Sequence, residues 1–175
     1  MIISLIIIFL SFIFFYTSLK GLGAIFFKIT RINNLQSETI FPIISFPFIF
    51  IITTNFHFFD KLYPNLNLLI ILIGFLTYVF KSKERENFLV LFLFLILIYV
   101  QFIGHKVNED YGYYHLPYII NLISDKIIFG LYNLSMVQGY NSAWLNVSTL
   151  FYLPIFTHKS AHFANSLIFL SILIF

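Results

Sequence analysis

Hydrophobic and polar positions fall into long blocks along this chain, not into a short-period alternation. Residues 2–19 carry no charge, and residues 40–56 are apolar apart from Pro42 and Pro47. Residues 66–80 form a shorter run that Leu62 and Tyr63 lengthen, and 88–104 is the cleanest run. Residues 161–175 are apolar and still running at Phe175. A helix needs about 20 residues to cross the hydrocarbon core, with roughly 17 as the lower limit. The pattern therefore predicts membrane helices at 2–19, 40–56, 64–80 and 88–104, and the start of another at 161–175. No run alternates with period two, so barrel strands do not fit. Helices are the other way to satisfy backbone groups in lipid. The expected fold is all-α: a polytopic helical membrane protein with four to five transmembrane helices.

Composition agrees with that pattern. Apolar residues are 60% of the 175 and charged residues 10%, against about 45–50% and 25% in soluble domains. A soluble or disordered chain is excluded. A net charge of +3 gives no argument for a nucleic-acid partner, and the absence of Cys removes disulfides and thiolate chemistry. Heavy use of Ile, Phe, Asn, Lys and Tyr points to an AT-rich bacterial genome, so part of the count of 25 Phe is codon bias.

The few charges set an expected orientation. Lys20, Lys28 and Arg31 follow the first run, Lys61 the second, and Lys81, Lys83 and Arg85 the third. Lys106, Lys126 and Lys159 are spread thinly after the fourth. Cytoplasmic segments collect Lys and Arg. This alternation puts 20–39 and 81–86 in the cytoplasm, and the N-terminus, 57–65 and 105–160 outside. The first run lacks a basic leader and a small-residue cleavage site, so it reads as an anchor and not a signal peptide.

Residues 105–160 differ from the rest. They hold three of the seven acids, three of the five His and the single Trp. Residues 119–129 are amphipathic, with Asn121, Ser124, Asp125 and Lys126 among apolar neighbours, which suits a helix lying in the interface. Residues 131–140 read as loop. Residues 143–156 are apolar, with Trp144 and Tyr152 of interface type, and Pro154 ends or bends them. At that length they form a second interfacial or re-entrant helix. None of the four clean runs contains an ionisable residue.

Asp110 is the candidate for chemistry. A carboxylate just outside the lipid core stays ionised while partly dry, and can accept a hydroxyl proton or help hold a divalent cation. On a helix, Asp110, Tyr113, Tyr114 and Pro117 share one side, a face that suits a sugar or a polyprenyl lipid. Glu109 points about 100° away. His115 can donate to a phosphate. The plainer reading is that acids, His and Tyr gather where water begins, and that an Asp at a helix end caps it. No His/Glu spacing of the zinc-enzyme kind is present. The triplets Asn133-Leu134-Ser135 and Asn146-Val147-Ser148 match a glycosylation acceptor, a pattern common by chance.

The block Asn108-Glu109-Asp110-Tyr111-Gly112-Tyr113-Tyr114-His115-Leu116-Pro117, with Phe129-Gly130-Leu131 and Gly139-Tyr140-Asn141-Ser142-Ala143-Trp144, resembles the first outer loop of GT-C-type integral membrane glycosyltransferases. The resemblance covers roughly residues 90–160 and is nearest to bacterial members with a D-x-x-x-Y-H-L-P-like signature. It implies a polyprenyl-phosphate-linked sugar as donor and a cell-envelope glycan or lipid as acceptor, at the outer face of a bacterial inner membrane. It makes Asp110 the catalytic acid residue, serving as base or orienting acceptor or metal, with Glu109 as its alternative. Tyr113, Tyr114 and His115 become substrate-binding residues, and 119–129 and 143–156 juxtamembrane helices. A divalent cation, Mg or Mn, is the implied cofactor, with its ligands unassigned. The chain departs from the family in placing three runs before the motif and in having fewer spans. It is therefore expected to be the front portion of a longer enzyme, inactive by itself. The competing readings are a non-enzymatic membrane protein, such as a transporter fragment or assembly subunit, and a polysaccharide polymerase or ligase.

Overall fold

The computed structural model describes residues 2–31, 38–81, 92, 96, 111–128, 130, 133, 142–153 and 163–175. Among these the chain is all-helical, without strands. Three helices are long and apolar enough to cross a membrane: α1 (Ile2–Thr30), α2 (Phe41–Phe59, entered through a 3-10 turn at Glu38–Ile40) and α3 (Pro64–Lys81). Three shorter helices follow: α4 (Leu116–Ser124), α5 (Ala143–Leu150) and α6 (Phe163–Ile174). The expected span at 88–104 lies outside the described residues except for helical Phe92 and Ile96. At 12 residues, α6 falls short of a full crossing.

The chain folds as two compact units. The first comprises Met1–Phe48, Ile71–His105 and Asn165–Phe175. Its axis is α1, whose Phe12, Phe15, Tyr16, Leu19 and Leu22 are buried. The helix was expected to end at residue 19, but it continues to Thr30, and the expected cytoplasmic segment 20–39 begins inside it. The candidate span within α1 is Phe9–Thr30, so Lys20, just past the expected run 2–19, falls in the middle of it and is only 3% exposed. A single lysine does not stop a helix whose neighbours carry no proline, because its long apolar stem packs while the ammonium reaches polar company.

Glycine decides how α1 meets its partners. A methyl group on Gly21 would collide with the backbone carbonyl of Gly74 on α3, and one on Gly74 with the carbonyl of Ser18. One on Gly23 would strike the carbonyl of Phe41 at the start of α2. Small residues allow such backbone approach, which is how helices associate where lipid removes the hydrophobic drive. Aromatic pairs fill the flanks: Phe14 with Phe75 and Phe27 with Phe41 at 5.1 Å, and Phe26 with Phe48 at 5.4 Å between centroids. Hydroxyls buried in this apolar setting turn inward. Thr17 Oγ1 donates to the Ile13 carbonyl at 2.8 Å, and Ser18 Oγ to the Phe14 carbonyl at 2.6 Å. Leu72, Ile73, Leu76, Val79 and Phe80 of α3 are exposed, a continuous apolar face that water would not tolerate and lipid would.

The second unit comprises Ile49–Ile70 and Lys106–Ala164. Here the end of α2 and the start of α3 form a hairpin around Asp60–Tyr63, and α4 and α5 pack on it. Pro64 opens α3 at a position that needs no amide donor. α4 starts three residues before the expected 119 and ends at Ser124, where Asp125 turns extended. Its buried Ile119 packs with Leu145 of α5, and Tyr118, Ile123 and Tyr152 close around them. Ser142 caps α5 by accepting from the Leu145 amide at 3.4 Å. α5 ends before Phe151, short of the expected 156, and its Leu145–Leu150 stretch is buried. It is thus a packed element of this unit. The Pro154 position and almost all of 131–140 lie outside the described residues.

Candidate functional site

Asp110, the expected catalytic residue, and Glu109, its alternative, lie outside the described residues. The description resumes at Tyr111, in a five-residue π-helical turn, Tyr111–His115, that runs into α4. Such turns are rare and occur often at functional sites. Tyr113 is 73% exposed and Tyr114 45%. Their rings are neighbours, 6.4 Å apart and tilted by 51°. His115 is also exposed and precedes α4 without capping it through its side chain. Pro117, expected on the same side, is half-buried, because the wider π turn shifts the register on which the α-helical spacing was reckoned.

Backbone hydrogen bonds hold the segment after this turn. The Leu62 amide donates to the Leu122 carbonyl at 2.9 Å, and the Ile127 amide to the His57 carbonyl at 3.2 Å. His57 Nε2 lies 3.0 Å from the Asp125 carbonyl, which fixes the ring proton on Nε2. The α2–α3 turn and the α4 end are therefore on one side of any bilayer these helices cross. Sequence reasoning had put both on the same face and had given His57 no part in joining them. At this turn Phe58, Phe59 and Tyr63 are exposed, and Lys61 Nζ stands 4.9 Å over the Tyr63 ring. Aromatic residues at a helix turn of this kind suit the membrane–water boundary.

Beneath the surface runs a neutral polar network that sequence reasoning missed. Tyr118 Oη donates to Asn146 Oδ1 at 3.1 Å, and Asn146 Nδ2 donates to Thr54 Oγ1 at 3.0 Å. Asn67 Nδ2 donates to the Thr149 carbonyl at 2.9 Å, while Asn67 Oδ1 is buried without a partner. Burial pushes the Tyr118 phenol above its ordinary value, and a hydrogen bond with the Ser142 backbone offsets part of the rise. The phenol stays protonated and acts as a donor. Asn146 is 3% exposed with its amide engaged, so its N-x-S triplet is closed to glycosylation. The available signal was an Asn inside an otherwise apolar run, at 67 and again at 146.

These groups can position a surface; none of them is a base or nucleophile at neutral pH apart from the imidazoles. Among the described residues no cluster of three or more His, Asp or Glu is arranged to hold a metal. The candidate catalytic residue Asp110 and its alternative Glu109 are not among them. No family model, curated protein or solved structure matches the chain.

Proposed function

We propose that this protein is a membrane glycosyltransferase of the GT-C type, moving a sugar from a polyprenyl-phosphate-linked donor to a cell-envelope acceptor at the outer face of a bacterial inner membrane. One observation carries the reading. The segment that follows Asp110 is tied by main-chain hydrogen bonds to the α2–α3 turn, and it presents Tyr113 and Tyr114 side by side at the surface. Aromatic faces in a segment that directly follows a carboxylate in sequence suit the apolar face of a pyranose ring.

In this reading Asp110 takes the proton from the acceptor hydroxyl as the new glycosidic bond forms at the sugar's anomeric carbon. The bond from that carbon to the phosphate oxygen breaks, and polyprenyl phosphate leaves. One base suffices for such direct displacement. Tyr113 and Tyr114 hold the sugar, and His115 donates to the leaving phosphate. A base of this kind contributes about 10²–10⁴-fold. Asp110→Asn in the full-length protein, supplied with a polyprenyl-phosphate sugar in membranes, should lower transfer by about that factor at unchanged expression. Transfer at the wild-type rate would rule the role out.

A second reading rests on a different residue. Lys20 is buried in the middle of a candidate span, and ionisable groups within spans mark transport pathways or ligand sites. A non-enzymatic transporter or assembly subunit fits that observation. Wild-type transfer activity that depends on Asp110 would decide between the two.

A further inference from the structure

His57 meets the chain that leaves α4 twice, once through its backbone and once through its ring. We infer that His57 is a positioning residue: it braces one end of α4 and thereby sets where the other end presents Tyr113 and Tyr114. The role of those two rings rests on the transferase reading, whereas the brace rests on geometry alone.

The two contacts follow from local structure. α4 ends at Ser124, and Asp125 turns extended, with φ −132° and ψ 153°. In an extended chain the carbonyl of one residue and the amide two residues on point to the same edge. The Asp125 carbonyl and the Ile127 amide share such an edge, and His57 takes both. Its own carbonyl accepts from the Ile127 amide at 3.2 Å, and its Nε2–H donates to the Asp125 carbonyl at 3.0 Å. The bond from the Leu62 amide to the Leu122 carbonyl, at 2.9 Å, takes up one of the last-turn carbonyls that a helix leaves without an internal partner. Of these three bonds, only the ring bond is removed by changing a side chain. Ser124, Asp125 and Lys126 are exposed, so water competes for the groups that the ring holds.

α4 then behaves as a lever. Its fulcrum is Ile119, buried against Leu145 of α5, with Tyr118 bonded to Asn146 beside it. At 1.5 Å per residue, Asp125 lies about 9 Å from Ile119 along the axis, and Tyr114 about 7.5 Å the other way. The arms are nearly equal, so slack at the braced end reaches the tyrosines almost undiminished. Tyr113 and Tyr114 are exposed, and their placement follows the element that carries them. A shift of about 1 Å in groups that hold a substrate can cost about 10²-fold in rate.

The test compares the full-length wild type with His57→Gln, which keeps an N–H donor at the reach of Nε2, and His57→Leu, which keeps bulk and loses the donor. Hydrogen exchange is followed by mass spectrometry over 122–128 and over 111–118. His57→Leu should exchange roughly three- to tenfold faster in both stretches, the effect of one hydrogen bond, and His57→Gln should match the wild type. In the transfer assay His57→Leu should raise KM for the sugar donor more than it lowers kcat, and His57→Gln should restore both. His57→Asn, too short to reach the Asp125 carbonyl, repeats the comparison if the leucine is not tolerated. Protection in His57→Leu equal to the wild type would overturn the inference. So would faster exchange at 122–128 with 111–118 unmoved, because the lever would not transmit, or faster exchange throughout the chain in both donor-less variants. If the wild type transfers no sugar, the transferase reading falls, and exchange over 111–118 alone decides the brace.

Discussion

Asn146 shows how one residue ties separate elements together. Its amide accepts from Tyr118 of α4 and donates to Thr54 of α2. Removing it strands two half-buried partners, and each such loss costs about 1–3 kcal/mol. Asn146→Ala should therefore destabilise the fold by about 2–4 kcal/mol. Asn67 differs, because its Oδ1 already lacks a partner. Asn67→Leu loses one bond to Thr149 and also removes an unsatisfied carbonyl, so a cost under about 1 kcal/mol is expected. Denaturant titration in detergent compares the two, and equal costs would contradict the assigned network. Tyr118 adds a pH dependence. Its folded-state value is raised above the ordinary 10.0, so the bond to Asn146 is fully present below pH 10 and is lost as pH rises through the higher folded value. The ultraviolet difference between wild type and Tyr118→Phe should show this phenol ionising only above pH 10. None of this was legible from composition. An isolated polar residue in an apolar run announces that it needs a partner, but only the fold says which.

At the scale of elements, apolar run length was a good guide to α2 and α3, whose ends lie within a few residues of expectation. It failed at α1, where Lys20 was read as a boundary. The charge is local, whereas helix continuation depends on propensity over a whole turn, and residues 20–30 contain no proline. Gly21 and Gly23 are the points where backbones touch. Gly21→Ala or Gly74→Ala should thus force the helices apart at a cost of about 1–3 kcal/mol. Gly112→Ala, where nothing lies within 4 Å of the added methyl, should cost far less. Thermal unfolding of the three variants checks the ranking, and a tolerated Gly21→Ala would mean that α1 and α3 are not in contact there. α4 offers an apolar face on which Ile119 packs against Leu145 of α5, while Ile120 stays exposed.

For the whole molecule, 60% apolar residues in long blocks pointed to an all-helical fold, and three of its described helices are long and apolar enough to cross a membrane. Charge bias further grouped the segments that the fold brings together. Residues 57–65 join the α4 segment, and Lys20 and Glu38 meet Lys81. The chemistry was less legible, because the proposed acid Asp110 takes its meaning from what surrounds it. The α2–α3 turn and the α4 end form one platform, which puts 61 and 126 on the same side of any bilayer that α3 crosses, with Lys81 at the other end of α3 and the platform proposed to face outward. The chain has no cysteine, so a single introduced thiol reports its own position. Lys61→Cys, Lys126→Cys and Lys81→Cys should each be treated with a membrane-impermeant maleimide on intact bacteria. Labelling at 61 and 126, with 81 reached only after permeabilisation, is the expected result. Labelling that separates 61 from 126, or that groups 61 with 81, would contradict the account.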